Sequence, residues 1–221
     1  MARHRIAAYL EIGPKRTFAG ALEWPGWCRS GRTEEAALEA LLASAGRYAN
    51  AIGGALGFEL PPDVRLLEVV ERLAGGAATD FGVPGEAPSA DDEPLDDAEL
   101  TRQITLLKAA WRALDHAAAE AEGRELRKGP RGGGRTLGKI VGHVSEAERA
   151  YLGQLGSRSP ADGSTSEMRR LMVEVLRARA RGEPLADPRN TRTPWSPRYF
   201  VRRAAWHALD HAWEIEDRVA G

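Results

Sequence analysis

The chain has 221 residues, enough for two small domains, and its 31 basic residues nearly balance its 32 acidic ones. This balance offers no basic surface that would follow a phosphate backbone, so we expect no nucleic-acid partner. A single cysteine, Cys28, excludes a disulfide within the chain and agrees with a reducing cytoplasm. The N-terminal stretch MARHRIAAYLEIG lacks the apolar core of a signal peptide, and we find no run of about 18 apolar residues. We therefore predict a cytoplasmic protein without a membrane partner.

The first 80 residues combine strand and helix patterns, which predicts an α+β domain. RIAAYLEI (residues 5–12) alternates apolar and polar side chains over part of its length, as a half-buried strand does. Gly13 and Pro14 end this segment, and RTFAGALEW (residues 16–24) has the composition of a second strand. Two strands with so short a connection predict a hairpin.

Helical patterns follow the hairpin. A segment rich in alanine and leucine begins at TEEA (residues 33–36) and runs to about Ile52, which predicts a helix. Thr33 and Ser30 are both candidate N-caps. VRLLEVVERL (residues 64–73) fits either a strand or a short helix, because its valines and leucines favour a strand whereas its glutamates are spaced by three.

Residues 81–97 divide the chain. They contain three prolines, several acidic residues and few large apolar side chains, so they cannot bury enough apolar area to offset the entropy lost on ordering. We predict an acidic, proline-rich linker here, between a domain at residues 1–80 and one at residues 98–221. Asp96 or Asp97 is the expected N-cap of the helix that follows.

After the linker, four segments place apolar residues at spacings of three and four, the period of an amphipathic helix. Loops rich in glycine and proline separate the segments, which are residues 98–123, 135–156, 165–182 and 196–221. This pattern predicts an all-α, up-down four-helix bundle. The predicted fold is thus an α+β N-terminal domain followed by a helical bundle.

Three of the five histidines are spaced as metal ligands. His207 and His211 lie one turn apart on one helix face and share an apolar stripe with Phe200 and Ile215, so both rings are expected to face inward. His143 lies on the apolar face of a different helical segment. Buried imidazoles are costly unless their nitrogens are bonded, and the facing helices of bundles build metal sites. We predict that His143, His207 and His211 hold a metal ion.

Glu214 borders the histidine stripe and is the candidate catalytic residue. Three roles stay open for it: an acceptor that orients an imidazole, an acid or base at metal-bound water, or a surface salt bridge with Arg218. Glu146 and Asp210 are expected to form surface ion pairs. His116, at the edge of its helix's apolar stripe, is expected to be exposed or at the rim.

The segment AYLEIGPKRTFAGALEWPGWCRSGRTEEAALEAL resembles the core of HicB-type antitoxins, in which a hairpin ends in a Pro-Gly segment that leads into a helix. The matching positions are Leu22, Pro25, Gly26, Gly31, Thr33, Glu34, Glu35 and Ala36. The resemblance implies a small α+β domain whose strands pack on one or two helices. It does not by itself imply that the domain binds a toxin.

RTLGKIVGHVSEAERAYLGQLG and FVRRAAWHALDHAWEIEDR together resemble the DinB-like superfamily, which includes relatives of mycothiol-dependent maleylpyruvate isomerases. The resemblance covers residues 97–221 and implies a four-helix bundle. It also implies a three-histidine site, with His143 from the second helix and His207 and His211 from the last. The implied cofactor is a divalent ion, zinc or nickel ahead of iron. A subset of the superfamily also uses a low-molecular-weight thiol.

Three functional hypotheses follow. The first is a metal-dependent enzyme, a thiol-dependent transferase or hydrolase that acts on a small electrophile. The second is a non-catalytic, metal-stabilised module whose HicB-like domain contacts a protein partner. The third is a bundle without metal, whose histidines are bonded to carboxylates. We expect a small-molecule substrate for the enzyme and a homodimer, because related bundles often pair through helices.

Overall fold

The computed structural model describes residues 5–53, 56–128, 134–160 and 163–219. The chain forms two compact units, Met1–Glu93 and Pro94–Gly221. The first contains a four-stranded sheet and the second is mostly helical, so the predicted α+β class is confirmed. Within the described ranges, no helix has both the length and the apolar character needed to cross a membrane.

The sheet of the first unit is mixed. Its strands are β1 (Ile6–Ile12), β2 (Thr17–Ala21), β3 (Cys28–Gly31) and β4 (Leu67–Ala74), in the order β3-β2-β1-β4. β1 and β2 pair antiparallel, which confirms the predicted hairpin, and β3 adds antiparallel to β2. β4 pairs parallel with β1, so the strand alternative for residues 64–73 is the one that forms, after a short 3-10 turn at Val64–Leu66.

The helix predicted over residues 33–52 is two helices, α1 (Glu34–Ala43) and α2 (Ala45–Ile52). Thr33, one of the two candidate caps, accepts a hydrogen bond from the Ala36 amide at 3.2 Å. α1 packs against β2 and β3, so its apolar side chains cover one part of the sheet.

The break between α1 and α2 falls at Ser44. Its hydroxyl donates to the Leu41 carbonyl at 2.7 Å and accepts from the indole Nε1 of Trp27 at 3.0 Å. Trp27 is fully buried and stacks on Tyr48, with ring centroids 5.7 Å apart. A buried indole needs an acceptor for its N–H, and the break supplies one.

Much of the segment predicted as a linker belongs to the first unit. A short helix, α3 (Ala77–Phe81), precedes it. Glu11 of β1 is completely buried, and its carboxylate accepts hydrogen bonds from Thr79 Oγ1 at 2.5 Å, Gly85 N at 2.9 Å and Glu86 N at 3.0 Å. The acidic, proline-rich composition of this segment gives no sign of these hydrogen bonds, because their acceptor, Glu11, is distant in sequence.

Four long helices make up most of the second unit: α4 (Asp97–Glu120), α5 (Leu137–Gln154), α6 (Thr165–Arg181) and α7 (Pro197–Arg218). Each coincides with one of the four predicted segments. Asp96 is the cap of α4 and accepts from the Glu99 amide at 2.7 Å. Ser164 and Glu167 form a reciprocal capping box at the start of α6.

α7 is the central helix of this unit. It contacts α4, α5 and α6, and most of its side chains are buried. Because α5 also lies against α7, side chains on the facing surfaces of these two helices meet in the interior. His143 is on α5, and His207 and His211 are on α7.

Candidate metal centre

The three predicted histidines come together between α5 and α7. One ring nitrogen from each of His143, His207 and His211 lies within 4.8 Å of the other two. The Nε2 atoms of His143 and His207 are 3.3 Å apart, and the ring centroids are 4.6 to 5.1 Å apart. The three rings are therefore close enough to hold one metal ion.

The surroundings favour the neutral imidazoles that metals bind. Burial, together with the charges of His211 and His143, lowers the pKa of His207 to about 2. Burial also lowers the pKa of His143, with a further contribution from Arg135. Imidazole nitrogen donors suit zinc, nickel, copper or iron, and suit poorly the hard ions that prefer oxygen. The donor set fits the cofactor implied by the sequence but does not select one metal.

Glu214 fixes the orientation of one of these rings. His211 Nδ1 lies 2.8 Å from Glu214 Oε2, and Arg218 donates through Nη1 to Glu214 Oε1 at 2.7 Å. The hydrogen bond from His211, followed by that from Arg218, lowers the pKa of Glu214 and keeps it ionised. An ionised acceptor at Nδ1 places the ring proton there and leaves Nε2 free for an ion.

Arg218 is itself held by backbone carbonyls. Its Nε donates to Arg127 O at 2.9 Å and its Nη2 donates to Arg135 O at 2.9 Å. Both oxygens of the Glu214 carboxylate are thus bonded to fixed partners. This arrangement favours the orienting role for Glu214 over that of an acid or base that moves a proton.

The other polar residues weighed from the sequence do not belong to the group of three converging nitrogens. His116 and Glu146 are exposed, and Asp210 is half-buried. The fifth histidine of the chain, His4, lies outside the described residues. Among the tryptophans, Trp206 is buried on α7.

Two residues beside the rings were not predicted. Arg203 of α7 is only 7% exposed, and its Nη2 donates to the hydroxyl of Tyr151 at 3.3 Å. The Arg203 guanidinium lies 4.9 Å from the ring centroid of Trp206, and the Tyr151 ring is 5.8 Å from that of His207. Burial raises the pKa of Tyr151, so its hydroxyl keeps its proton. The sequence offered one signal for them. Arg203 is four residues before His207 and Tyr151 is eight after His143, so each lies on the same helix face as a predicted ligand.

A second polar cluster, centred on a buried glutamate, joins α4, α5 and α6. Glu148 is 2% exposed and accepts from Arg169 Nε at 3.2 Å, while Arg169 Nη1 donates to both oxygens of Asp115 at 2.8 Å. Burial raises the pKa of Glu148, although Arg169 acts against that rise. The three side chains line a cavity of about 270 Å³. Glu148 carries no sequence signal beyond its place on the buried face of α5.

Comparison with protein-family models, with curated proteins and with solved structures yields no match. The resemblances to the DinB-like superfamily and to HicB-type antitoxins therefore stay predictions from the sequence. The geometry of the three histidines is the observation from which a function can be argued.

Proposed function

We propose that the chain is a metal-dependent enzyme of the DinB-like superfamily, and that α4–α7 form its up-down four-helix bundle. The observation that supports this proposal is the approach of His143, His207 and His211 to within 4.8 Å of one another. Three protein ligands are the number typical of catalytic zinc sites, which keep a position for water or substrate. Structural zinc sites usually have four protein ligands.

Each residue of the proposed site has a distinct role. The three histidines hold a divalent ion, zinc or nickel ahead of iron, which when bound lowers the pKa of a water or thiol and so supplies a nucleophile. Glu214 keeps the proton of His211 on Nδ1, and Arg218 holds Glu214 in place. The rings of Tyr151 and Trp206 lie beside His207, with centroids 5.8 and 6.1 Å from that of His207.

We propose a thiol-dependent transfer or a hydrolysis as the reaction, with a small electrophile as substrate. The thiol would be a low-molecular-weight cofactor such as those used by the subset of the superfamily named above. The proposal rests on the resemblance of the α5 and α7 segments and on the donor set. We also propose a homodimer, which light scattering of the purified chain would test.

A non-catalytic, metal-stabilised module is the second candidate. It is favoured by the geometry of Glu214, because both carboxylate oxygens are bonded and leave the nearest carboxylate unsuited to proton transfer. In that case the HicB-like first unit would contact a protein partner. A pull-down with the full chain, and with a chain that carries only the second unit, tests that contact.

Elemental analysis of the purified full-length protein tests the metal site. We expect about one transition-metal ion per chain in the wild type, a loss of most of it in His207→Ala, and no change in His116→Ala. His116 is the matched control because it is an exposed histidine on a helix of the same unit. A metal-free wild-type protein with undiminished stability would contradict both candidate functions.

Transfer assays separate the two candidates once metal is found. The loaded protein is incubated with a small electrophile and with mycothiol, bacillithiol or glutathione, and loss of thiol is followed. We expect turnover with one thiol, or hydrolysis without any, that disappears in His207→Ala. A loaded protein without either activity supports the module.

A further inference from the structure

Arg203 is a buried cation that has no carboxylate partner in the described part of the chain. It is 7% exposed, and among the described residues its one hydrogen bond is to the neutral hydroxyl of Tyr151. Its Nη1 is buried and has no hydrogen-bond partner in the described part of the chain. Buried arginines are almost always paired, because an uncompensated buried charge is costly. Arg218, a buried arginine on the same helix, donates to a carboxylate and to two backbone carbonyls.

The hydroxyl of Tyr151 adds a second unused donor. A phenol oxygen accepts a hydrogen bond and donates one, and here it accepts from Arg203 Nη2. The Tyr151 proton has no acceptor among the side chains and carbonyls of the described residues. Two adjacent donors, Arg203 Nη1 and Tyr151 Oη, therefore lack an acceptor among the residues that the structure describes.

The local charge points to an acceptor that is negative. The carboxylate closest to the three rings, Glu214, is already neutralised by Arg218 at 2.7 Å. Among the described residues, no carboxylate is bonded to Arg203, so its guanidinium leaves an excess of positive charge beside the three rings. A divalent ion on the three histidines would increase that excess.

Both donors lie close to His207: Arg203 is one helical turn before it, and the Tyr151 ring centroid is 5.8 Å from that of His207. Arg203 is four residues before His207, a rise of about 6 Å along α7. Tyr151 lies on α5, eight residues after His143. It faces Arg203 across the interface of the two helices, as their 3.3 Å hydrogen bond shows. Tyr151 and His143 are both only partly buried, so this side of the cluster reaches solvent.

We propose that Arg203 and Tyr151 form an anchor for the carboxylate of a small acidic substrate, whose reacting group then lies at His143, His207 and His211. This inference rests on the proposed function for the part played by the three histidines. The anchor itself needs no metal, because its donors belong to the chain. Arginine and a hydroxyl recognise a carboxylate through charge-assisted hydrogen bonds, and a free phosphate offers the same chemistry.

Anion titration of the full-length, metal-loaded protein tests the anchor. Acetate, succinate and inorganic phosphate are added in chloride-free buffer, and binding is followed by calorimetry and by the fluorescence of the nearby tryptophans. We expect saturable binding of a carboxylate, at least about ten-fold weaker in Arg203→Met and several-fold weaker in Tyr151→Phe. Stronger binding of phosphate than of either carboxylate would replace the proposed ligand by a phosphorylated one.

Three controls keep the result interpretable. Arg181→Met removes an exposed arginine that pairs with Asp97 and should leave binding unchanged. Acetamide, a neutral isostere of acetate, should not bind. Metal content and circular dichroism show whether each variant is folded. Tyr151→Phe keeps the ring and provides the test if Arg203→Met does not fold.

The outcomes separate the two proposals. Equal anion affinity in the wild type and in Arg203→Met overturns the anchor, and so does a wild type without saturable binding, whose donors would then be bonded to water. Repeating the anion titration after removal of metal distinguishes a failure of the anchor from a failure of the proposed metal-dependent function. A protein that never binds metal but binds carboxylate through Arg203 contradicts the proposed function and leaves the anchor standing.

Discussion

At the scale of single residues, the hydrogen bond between His211 Nδ1 and Glu214 Oε2 sets which nitrogen of the ring is available. The Glu214 carboxylate is held ionised, so it accepts a hydrogen bond from Nδ1–H and leaves Nε2 as the nitrogen that can bind an ion. Arg218 holds the acceptor still, which removes its freedom to turn toward water. Partners of this kind affect metal affinity nearly as much as the ligands do.

We therefore predict that Glu214→Gln weakens metal binding by about ten-fold or more. Glutamine keeps the volume of the side chain but accepts a weaker hydrogen bond and leaves Arg218 without its carboxylate. Competition against a chromogenic chelator measures the affinity. Glu146→Gln, an exposed position on α5, is the control. Unchanged affinity in Glu214→Gln would mean that His211 does not need this partner.

The cluster of Glu148, Arg169 and Asp115 predicts a contrast in stability. Arg169→Met leaves the Glu148 carboxylate buried without its cation, and we expect a loss of about 3–5 kcal/mol in the free energy of unfolding. Asp115→Asn removes a partner whose side chain is 61% exposed, and we expect a loss below about 1 kcal/mol. Urea denaturation followed by circular dichroism measures both. Equal losses would show that the burial of Glu148 contributes little.

Some residues of the site could be predicted from the sequence and others could not. His207 and His211 stand out because two imidazoles on an inward face need an explanation, and His143 completes the set. Arg203 and Tyr151 occupy the same two faces, yet an arginine on a helix usually lies at the surface and a tyrosine usually fills core volume. Only the structure shows that Arg203 is buried and that no carboxylate of the described residues is bonded to it.

At the scale of elements, Gly31 shows how closely α1 approaches the sheet. A Cβ at Gly31 would collide with the backbone of Ala36 and Ala37 at the start of α1. Backbone atoms cannot move aside as the end of a flexible side chain can. The glycine in the G-x-T-E-E-A stretch is therefore required by packing, and the stretch needs no ligand to explain it.

This contact predicts opposite effects of alanine at two glycines. Gly31→Ala should destabilise the first unit by about 1–3 kcal/mol, because α1 must shift away from β3. Gly46→Ala lies in α2 with open space around it, and should stabilise the unit by about 0.5–1 kcal/mol through helix propensity. Thermal denaturation of the two variants beside the wild type measures the difference. A neutral Gly31→Ala would contradict the packing argument.

Elements with a clear period were predicted well, and those that depend on distant partners were not. The segments that became α4–α7 follow a 3.6-residue pattern with caps that sequence can recognise, as at Asp96. β3 has only four residues, too few to show a pattern. The break at Ser44 depends on Trp27, which is distant in sequence and has no influence on local propensity.

At the scale of the whole molecule, every proposed ligand belongs to the second unit. Binding of an ion to the folded state alone stabilises the unit that carries the site. The sheet of the first unit has its own core around Trp27 and Tyr48. Metal should therefore affect one unit and leave the other as it is.

We predict that removal of metal by a chelator lowers the unfolding temperature of the second unit by roughly 10 °C and leaves that of the first unchanged. Differential scanning calorimetry of the full-length protein, with and without chelator, resolves the two transitions. His207→Ala should not respond to the chelator. A shift of both transitions by the same amount would show that the units unfold together.

The division into two units follows from composition, whereas its position does not. Proline and acidic residues mark the region around residues 81–97, and the boundary falls between Glu93 and Pro94. The bonds from Gly85 and Glu86 to Glu11 could not be anticipated, because a glutamate within an apolar strand gives no indication of its partners.

The parallel pairing of β1 with β4 has a consequence for how the first unit forms. Ile6 pairs with Leu67, so a loop of about 60 residues must be synthesised and closed before β4 can join the sheet. Closing so long a loop costs conformational entropy before the stabilising contacts between β1 and β4 can form. Contacts between residues distant in sequence therefore slow folding. The hairpin of β1 and β2 needs only a short turn and can form first. During synthesis, the edge of β1 that later receives β4 is therefore open to any other extended chain until residue 74 has left the ribosome.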